Sequence, residues 1–518
     1  MISKISLHNQ VVVTAAQMRA IEERVFAAGI PVAALMEKVG GLISRWVQTH
    51  YPPEQCPQVG ILAGPGHNGG DALVVARELH FRGYRVVVYQ PFSKMKDLTH
   101  HHARYAHSLG LTFHDSIEAL QFSDLILDGL FGFGLERELT DPVKGAIDSL
   151  NQWSQPVVSI DLPSGLQTDT GARLGTAVRA TWTLCLGLWK QSLLQEQALE
   201  FVGQAELIDF DLPIADIQAV LGEEPAVQRI TAEQALAYLP LSRPPSTHKY
   251  QMGHVLLICG SLPYAGAAIL CGLGARATGV GMLSIAVPES LKPMVLAQLP
   301  EALVIGCPET AAGGISRLPA EVQLDRYDVV ACGPGLSLEA DRLVQQVLES
   351  DRPLVLDADG LNLLAQHNVV GTLKNRQAPT VLTPHLGEFR RLFPKIAETM
   401  VCRITAVRSV AEATGTIVLL KGARIVIGNA QGRIWINPDS TPALARGGTG
   451  DVLTGLIGGL MAQGGKSRDG MAALVQSAAW WHAQAGILAA RERTELGVDA
   501  FTLSQSLIPA IADVLRLG

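Results

Sequence analysis

QVGILAGPGHNGGDALVVARELHFRGYRVVVYQ, residues 58–90, decides the fold class. A short apolar run ends in Gly64-Pro65-Gly66, an amphipathic stretch follows, and a β-branched run from Arg85 to Tyr89 closes the unit. A strand, a crossover helix and a second strand of this kind pair in parallel. Further strands are expected at 124–127 and 157–160, each followed by a glycine-containing loop. Upstream, TAAQMRAIEERVFAAGIPVAALMEKVGGLISRWV (14–47) reads as two helices broken at Gly29-Ile30-Pro31.

The pattern weakens between about 209 and 253, where SRPPSTHKYQMG (242–253) has the composition of a connector. A second α/β series then opens with HVLLIC (254–259), a loop at 260–266 and a helix closing at Gly279. Strands are expected at 328–332, 353–358, 380–383 and 416–421. The chain is therefore α/β, with a first domain at 1–220, a connector region at 221–253 and a second domain at 254–518. In open parallel sheets, ligands bind in the loops at the carboxyl ends of strands.

A length of 518 residues suits two or more domains. With 48% apolar and 17% charged residues, these should be well packed. A net charge of −7 leaves no basic footprint for nucleic acid. Seven scattered cysteines form no C-x-x-C pair and suit reduced thiols in a cytoplasm. The N-terminus lacks a signal-peptide core. GMAALVQSAAWWHAQAGILAA (470–490) has the length of a membrane span, but its alanines contribute little insertion energy, so a buried helix is expected.

Three loops of the first half draw attention. GPGHNGGD (64–71) follows a strand and opens a helix, which offers free amides to phosphate. It is neither a Walker A loop nor G-x-G-x-x-G. DGLFGFGLERE (128–138) and IDLPSGLQTDTG (160–171) follow the next strands. Asn68, Asp128 and Ser164 would supply hard oxygen ligands to a cation, although Asp128 and Asp161 taken singly read first as structural turn caps. Ser164 lacks the G-x-S-x-G setting of a nucleophile. The histidines at 100, 101, 102 and 107 read as a solvated helix face.

ALMEKVG, GPGHNGGDALVVAR, DGLFGFGL and IDLPSGLQTDTG, in this order, resemble the NAD(P)H-hydrate epimerase domain over residues 10–215. The resemblance implies a Rossmann-like three-layer αβα fold and epimerisation at C6 of hydrated NADH or NADPH, with a potassium ion. It implies a nucleotide site lined by His67, Asn68, Gly69, Gly70 and Asp71, by Gly132, Phe133, Gly134, Leu135, Glu136, Arg137 and Glu138, and by Asp161. Potassium would be held by Asn68, Asp128 and Ser164. Acid–base chemistry at an aminal carbon makes Asp161 the candidate base. His67 and Ala72 depart from the asparagine and glycine usual there.

In the second half, ARGGTGDVLTGLIGGLMAQGG (445–465) sets one acid, Asp451, behind three glycines at the start of an apolar helix. The acid reads either as a cap or as a functional group at a site whose amides favour anions. Seven ordered motifs from HKYQMGHVLLICGS to GGTGDVLTG resemble the ADP/ATP-dependent NAD(P)H-hydrate dehydratases, relatives of the ribokinase-like kinases, over 230–518. The resemblance implies that the glycine loop cradles the transferring phosphoryl group while Asp451, kept ionised by the helix end, accepts the substrate's hydroxyl proton. Ala265, Gly335, His385 and Asp451 would contact the hydrate. Lys421, Gly422, Ala423, Arg424, Ile425 and Gly450 would hold ADP or ATP with Mg2+. Read without the family, His385 serves equally as a structural loop residue. Ile425 and Ser337 stand where threonine and glycine are usual.

Together the halves resemble the bifunctional NAD(P)H-hydrate repair enzymes, with small-molecule substrates, no nucleic acid or membrane partner and a homo-oligomeric assembly in the cytoplasm. The rival reading is a vitamin or sugar kinase fused to a non-catalytic binding or oligomerisation module.

Overall fold

The structure, a computed structural model, describes residues 4–464 and 468–517; Gly465, which closes the glycine-rich stretch, lies outside them. The chain divides into two compact units, Met1–Gln228 and Arg229–Gly518.

In the first unit seven strands form one sheet in the order 112–114, 85–89, 58–63, 125–129, 157–160, 182–186 and 204–208. Every pairing in it is parallel. Both faces of its central strands are buried. Val59, Ile61 and Ala63 join a core with the helices Ala15–Ala27, Val32–His50 and His67–Phe81, while Leu62 joins Ile147 and Leu150 on the other side. The unit is thus the three-layer αβα arrangement expected. From Gln58–Ala63 the chain runs outward on one side, then returns to Leu125–Gly129 on the other, and this reversal opens a crevice at the strands' carboxyl ends. The loops after Ala63, Gly129 and Ile160 all converge there. The two N-terminal helices break at Gly29-Ile30-Pro31 and meet at 118°.

The second unit carries a ten-stranded sheet that is parallel from Ile417–Leu420 through Leu303–Cys307. A hairpin, Val426–Gly428 and Ile434–Ile436, adds antiparallel strands beside Ile417–Leu420. The topological reversal falls between His254–Ile258 and Val329–Cys332. Helix Thr449–Gln463 lies against these strands and against helix Ala265–Ala277. The two helices approach closely because a Cβ on Gly274 would meet the Val452 carbonyl at 2.1 Å, and one on Gly455 the Cys271 carbonyl at 1.9 Å. This contact fixes the helix whose first turn holds Asp451.

The expected connector, 221–253, is corrected by the structure. It contributes the strand Val227–Arg229 and the helix Ala232–Ala237, and Ile230, Ala235 and Leu239 enter the second core. The helix opens on a capping box in which Thr231 and Gln234 satisfy each other's backbone amides. The stretch 470–490 is a buried helix, Arg468–Arg493, with Val475, Ala478 and Trp480 at most 2% exposed. Among the described residues no single helix is long and apolar enough to cross a membrane. His100, His101 and His107 are exposed on helix Asp97–Ser108.

Candidate functional sites

The first unit's crevice is a cavity of about 970 Å3. His67, Asn68, Asp71, the residues from Gly132 to Arg137 and Asp161 line it. Gly69 and Gly70 lie beneath that lining. A Cβ on Gly69 would fall 1.9 Å from the Gly64 carbonyl, and one on Gly70 would strike Met36. Glu138 is exposed and outside the lining. Gly132 passes between two polar side chains, where a Cβ would come within 2.9 Å of Asp161 Oδ2 and 3.1 Å of Asn68 Oδ1.

Asp161 holds a left-handed backbone, φ 69°, a conformation that costs a non-glycine residue of order 1 kcal/mol or more. It persists because the side chain is held from several directions. Lys190 Nζ lies 2.6 Å from Oδ1, the Phe133 amide donates to Oδ2 at 2.8 Å, and the Leu186 amide donates to Oδ1 at 3.4 Å. Burial alone would discharge Lys190, yet the charge of Asp161 wins and holds the amine above its ordinary range. Sequence reading missed both Lys190 and Glu22, which line the same cavity. Burial pushes the Glu22 carboxyl up to about 7, with Lys190 pulling down and Asp161 pushing up. Burial, then the charges of Asp161 and Glu22, lifts Asp71 well above the carboxylate range.

Asp128 is fully buried and accepts four hydrogen bonds. The Ser164 hydroxyl (2.6 Å) and Leu130 amide (3.2 Å) reach Oδ1, and the Ser159 hydroxyl (2.8 Å) and Ser164 amide (2.9 Å) reach Oδ2. Burial outweighs these donors and raises its pKa. Its charge faces no cationic side chain within ion-pair distance among the described residues. Asn68 keeps a buried Nδ2 without a hydrogen-bond partner. One carboxylate with neutral oxygens suits a monovalent hard cation, provided the Ser164 hydroxyl turns its proton away. Among the described residues no cluster of His, Cys, Asp and Glu has the make-up of a transition-metal site.

In the second unit the chain reaches helix Thr449–Gln463 through Gly448, whose φ of 89° and neighbours at Leu270 and Ala500 leave no place for a side chain. Asp451 stands in the first turn, three residues after the N-cap Gly448. The expectation that the helix end keeps it ionised is corrected. Burial, then the charge of Asp357, lifts it to about 7 against the pull of Lys421, with Asp359 adding to the rise. These effects outweigh a helix terminus of at most about 2 kcal/mol.

Asp357, absent from the sequence-derived site, organises this centre. It accepts from Lys421 Nζ at 2.7 Å, the Ala358 amide at 2.9 Å and the Thr454 hydroxyl at 2.6 Å. A Cβ on Gly450 would lie 3.4 Å from Lys421 Nζ and 4.0 Å from Asp357 Oδ2. The lysine therefore stands over the helix's first amides. Buried Arg403 donates to the Leu420 and Lys421 carbonyls at 3.0 and 2.6 Å, fixing the strand end. His482 donates from Nε2 to the Thr449 carbonyl at 2.9 Å and is kept neutral by burial, its pKa pushed down to about 4.

The remaining motif residues divide. Gly422, Ala423, Arg424 and Ile425 form the turn between two antiparallel strands beside Lys421, with Ile425 packed on the core. Gly335, at φ 61°, lies against Tyr264 and Ala267, so its loop adjoins Ala265 across the topological reversal. His385 caps helix Leu386–Leu392, its Nδ1 accepting from the Gly387 amide at 2.9 Å while Glu388 returns a bond to its backbone. Its ring remains mostly exposed, at 59%. Ser337 stands at φ 77°, the conformation that the usual glycine adopts freely, and its hydroxyl is buried without a partner.

Residues 32–192 match the family described as YjeF-related protein N-terminus, and residues 255–509 match NAD(P)H-hydrate dehydratase. The bifunctional NAD(P)H-hydrate repair enzyme of Thermosynechococcus vestitus is 54% identical over 506 residues, covering 97% of this chain and 98% of that protein. That of a Synechocystis species is 53% identical over 499 residues, covering 96% and 94%. Among solved structures, the ADP/ATP-dependent NAD(P)H-hydrate dehydratase of Bacillus subtilis, co-crystallised with ATP and Mg2+, is 32% identical. It covers 55% of this chain and 97% of that one, with a TM-score of 0.46.

Proposed function

The chain belongs to the family of bifunctional NAD(P)H-hydrate repair enzymes, and we propose that it runs the two repair reactions at the two sites described above. The first unit interconverts the R and S forms of hydrated NADH or NADPH. The second dehydrates the S form to NAD(P)H at the expense of ADP or ATP. The observation that carries this reading is the match of both halves, end to end, to relatives of that name.

The geometry supports a chemical route for the second reaction. Asp451, unprotonated for part of the time near neutrality, takes the proton of the C6 hydroxyl as that oxygen attacks the terminal phosphoryl group of the nucleotide. Lys421 and the amides at Gly450 stabilise the charge on the transferring group. The N1 lone pair then expels phosphate from C6 with the electrons of the C–O bond, the departing phosphate takes the C5 proton, and the nicotinamide double bond returns. Asp357 acts through Lys421 by holding the amine over the helix end. Magnesium, which would arrive with the nucleotide, would find the Asp359 carboxylate nearby, its oxygens accepting from the Ser337 amide at 2.9 Å and from Asn362 at 3.4 Å. Bound magnesium supplies charge neutralisation on the phosphates.

In the first unit, Asn68, Asp128 and Ser164 would hold potassium, which supplies counter-charge to a buried carboxylate. Homo-oligomeric assembly and a cytoplasmic setting belong to the same reading, the latter supported by seven cysteines that are all free thiols.

The test is incubation of the chain with hydrated NADH and either ADP or ATP. Recovery of NADH absorbance with one inorganic phosphate per NADH is the expected result. A stable phosphorylated product without NADH would instead make the second unit a kinase.

A further inference from the structure

We propose that Glu22 carries the proton in the first unit's reaction, and that Asp161, pinned by Lys190, is a positioning residue beside it. The inference deepens the epimerisation reading and rests on it. Asp161 is 3% exposed, and both its oxygens are engaged, Oδ1 by an ammonium and a long amide bond and Oδ2 by a second amide. Both oxygens are thus taken by donors, which leaves neither turned to a substrate. Glu22 lines the same cavity, and no hydrogen bond or ion pair at contact distance engages its carboxyl among the described residues.

Its position is fixed by its helix. Thr14 and Gln17 form a capping box at the start of Ala15–Ala27, and Asp169 accepts from the Ala15 amide at 2.7 Å. Met18, Ile21 and Val25 are buried as one face, which leaves Glu22 at the edge of that face and on the cavity wall. The charged and titratable groups around it are Arg19 and Glu23 on its own helix, and Asp71, Asp161 and Lys190 from facing elements. His67, Lys96, Glu136 and Arg137 complete the wall. Burial, against the pull of Lys190 and with the push of Asp161, raises the carboxyl to about 7, the range where a group both accepts and returns a proton near neutral pH.

The step balances without a co-reactant. The Glu22 carboxylate takes the C6 hydroxyl proton; the C6–N1 bond breaks with its electron pair going to N1, and C6 becomes an aldehyde carbon. The Glu22 carboxylic acid returns the proton to N1. After rotation about C5–C6, N1 attacks the other face of the aldehyde; its proton leaves and the oxygen regains one, giving the opposite epimer.

The experiment uses the full chain with Glu22→Gln and Glu22→Asp, supplied with pure R hydrate of NADH. Interconversion is followed chromatographically without ADP or ATP, after subtraction of the enzyme-free rate. Dehydration of the S hydrate with ADP reports on an intact second unit. We expect Glu22→Gln to lower the kcat of interconversion by about 100-fold or more with KM moved by less than about 3-fold. It should also erase the limb of the pH profile near 7, and Glu22→Asp should restore part of the rate. Interconversion by Glu22→Gln within about 3-fold of wild type, with the limb intact, overturns the role of Glu22 alone. A wild-type chain that dehydrates the S form but never converts R to S overturns the epimerisation reading and the proposal with it.

Discussion

The two sites share one electrostatic plan and differ in its setting. Each places a lysine, buried at Lys190 and half-buried at Lys421, against an aspartate at the carboxyl end of a parallel strand, Lys190–Asp161 at 2.6 Å and Lys421–Asp357 at 2.7 Å. Each then keeps a second acid, Glu22 or Asp451, whose carboxyl burial lifts to about 7. In the first unit that acid comes from a remote helix and faces a cavity with space for a ring that opens and closes. In the second it sits at a glycine-bounded helix start, beside amides aimed at a phosphoryl group. In the proposed routes the pair sets the field and the second acid moves the proton. What surrounds the second acid decides whether the site exchanges a proton or accompanies phosphoryl transfer.

Asp451→Asn should have the largest effect, lowering dehydration by about 1,000-fold or more, read as NADH formed from S hydrate with ADP. Loss of less than about 10-fold would remove Asp451 from the proton step. Next come the matched variants Lys190→Met and Lys421→Met, each expected to lower only its own unit's reaction by about 100-fold. Both lysines depress the neighbouring second acid. A base acts when deprotonated, so removing either lysine should move the rising limb of that reaction's pH profile upward from about 7. A limb that stays in place would break the parallel between the sites.

Asp357→Asn should move the dehydration limb the other way, because the like charge that raises Asp451 is gone and Lys421 is released from its partner. It should also destabilise the second unit by about 1 kcal/mol, since the half-buried lysine loses its counter-ion but keeps contact with solvent. Denaturant titration of the full chain reads that loss. The smallest effect is expected from Ser337→Gly, which relieves a left-handed serine and removes an unpaired buried hydroxyl. It should stabilise the second unit by about 1 kcal/mol and leave the first unit's transition unmoved.

The central strands 58–63, 85–89 and 157–160 were legible because both their faces are buried and their runs are apolar or β-branched. Trp182–Leu186 and Gln204–Ile208 escaped, as did the hairpin at 426–436; these lie toward sheet edges, with short or mixed patterns. The helix at 232–237 hid behind a polar, proline-bearing neighbour, although its Thr-x-x-Gln cap was visible. Of the site, the glycine loops and their acids were readable because close backbone approach demands glycine locally. Glu22, Lys190 and Asp357 were not, since each gains its meaning from burial against residues distant in sequence. The shift of Asp451 was misjudged for the same reason. The helix end is a local signal, while Asp357 beside it is a tertiary one.

The claim that the chain holds two independent centres is tested most directly by giving Asp451→Asn protein pure R hydrate of NADH with ADP and resolving the products over time. With two independent centres, S hydrate accumulates to its equilibrium share at the wild-type rate while no NADH forms. An R hydrate that persists unconverted beside the absent NADH would contradict it.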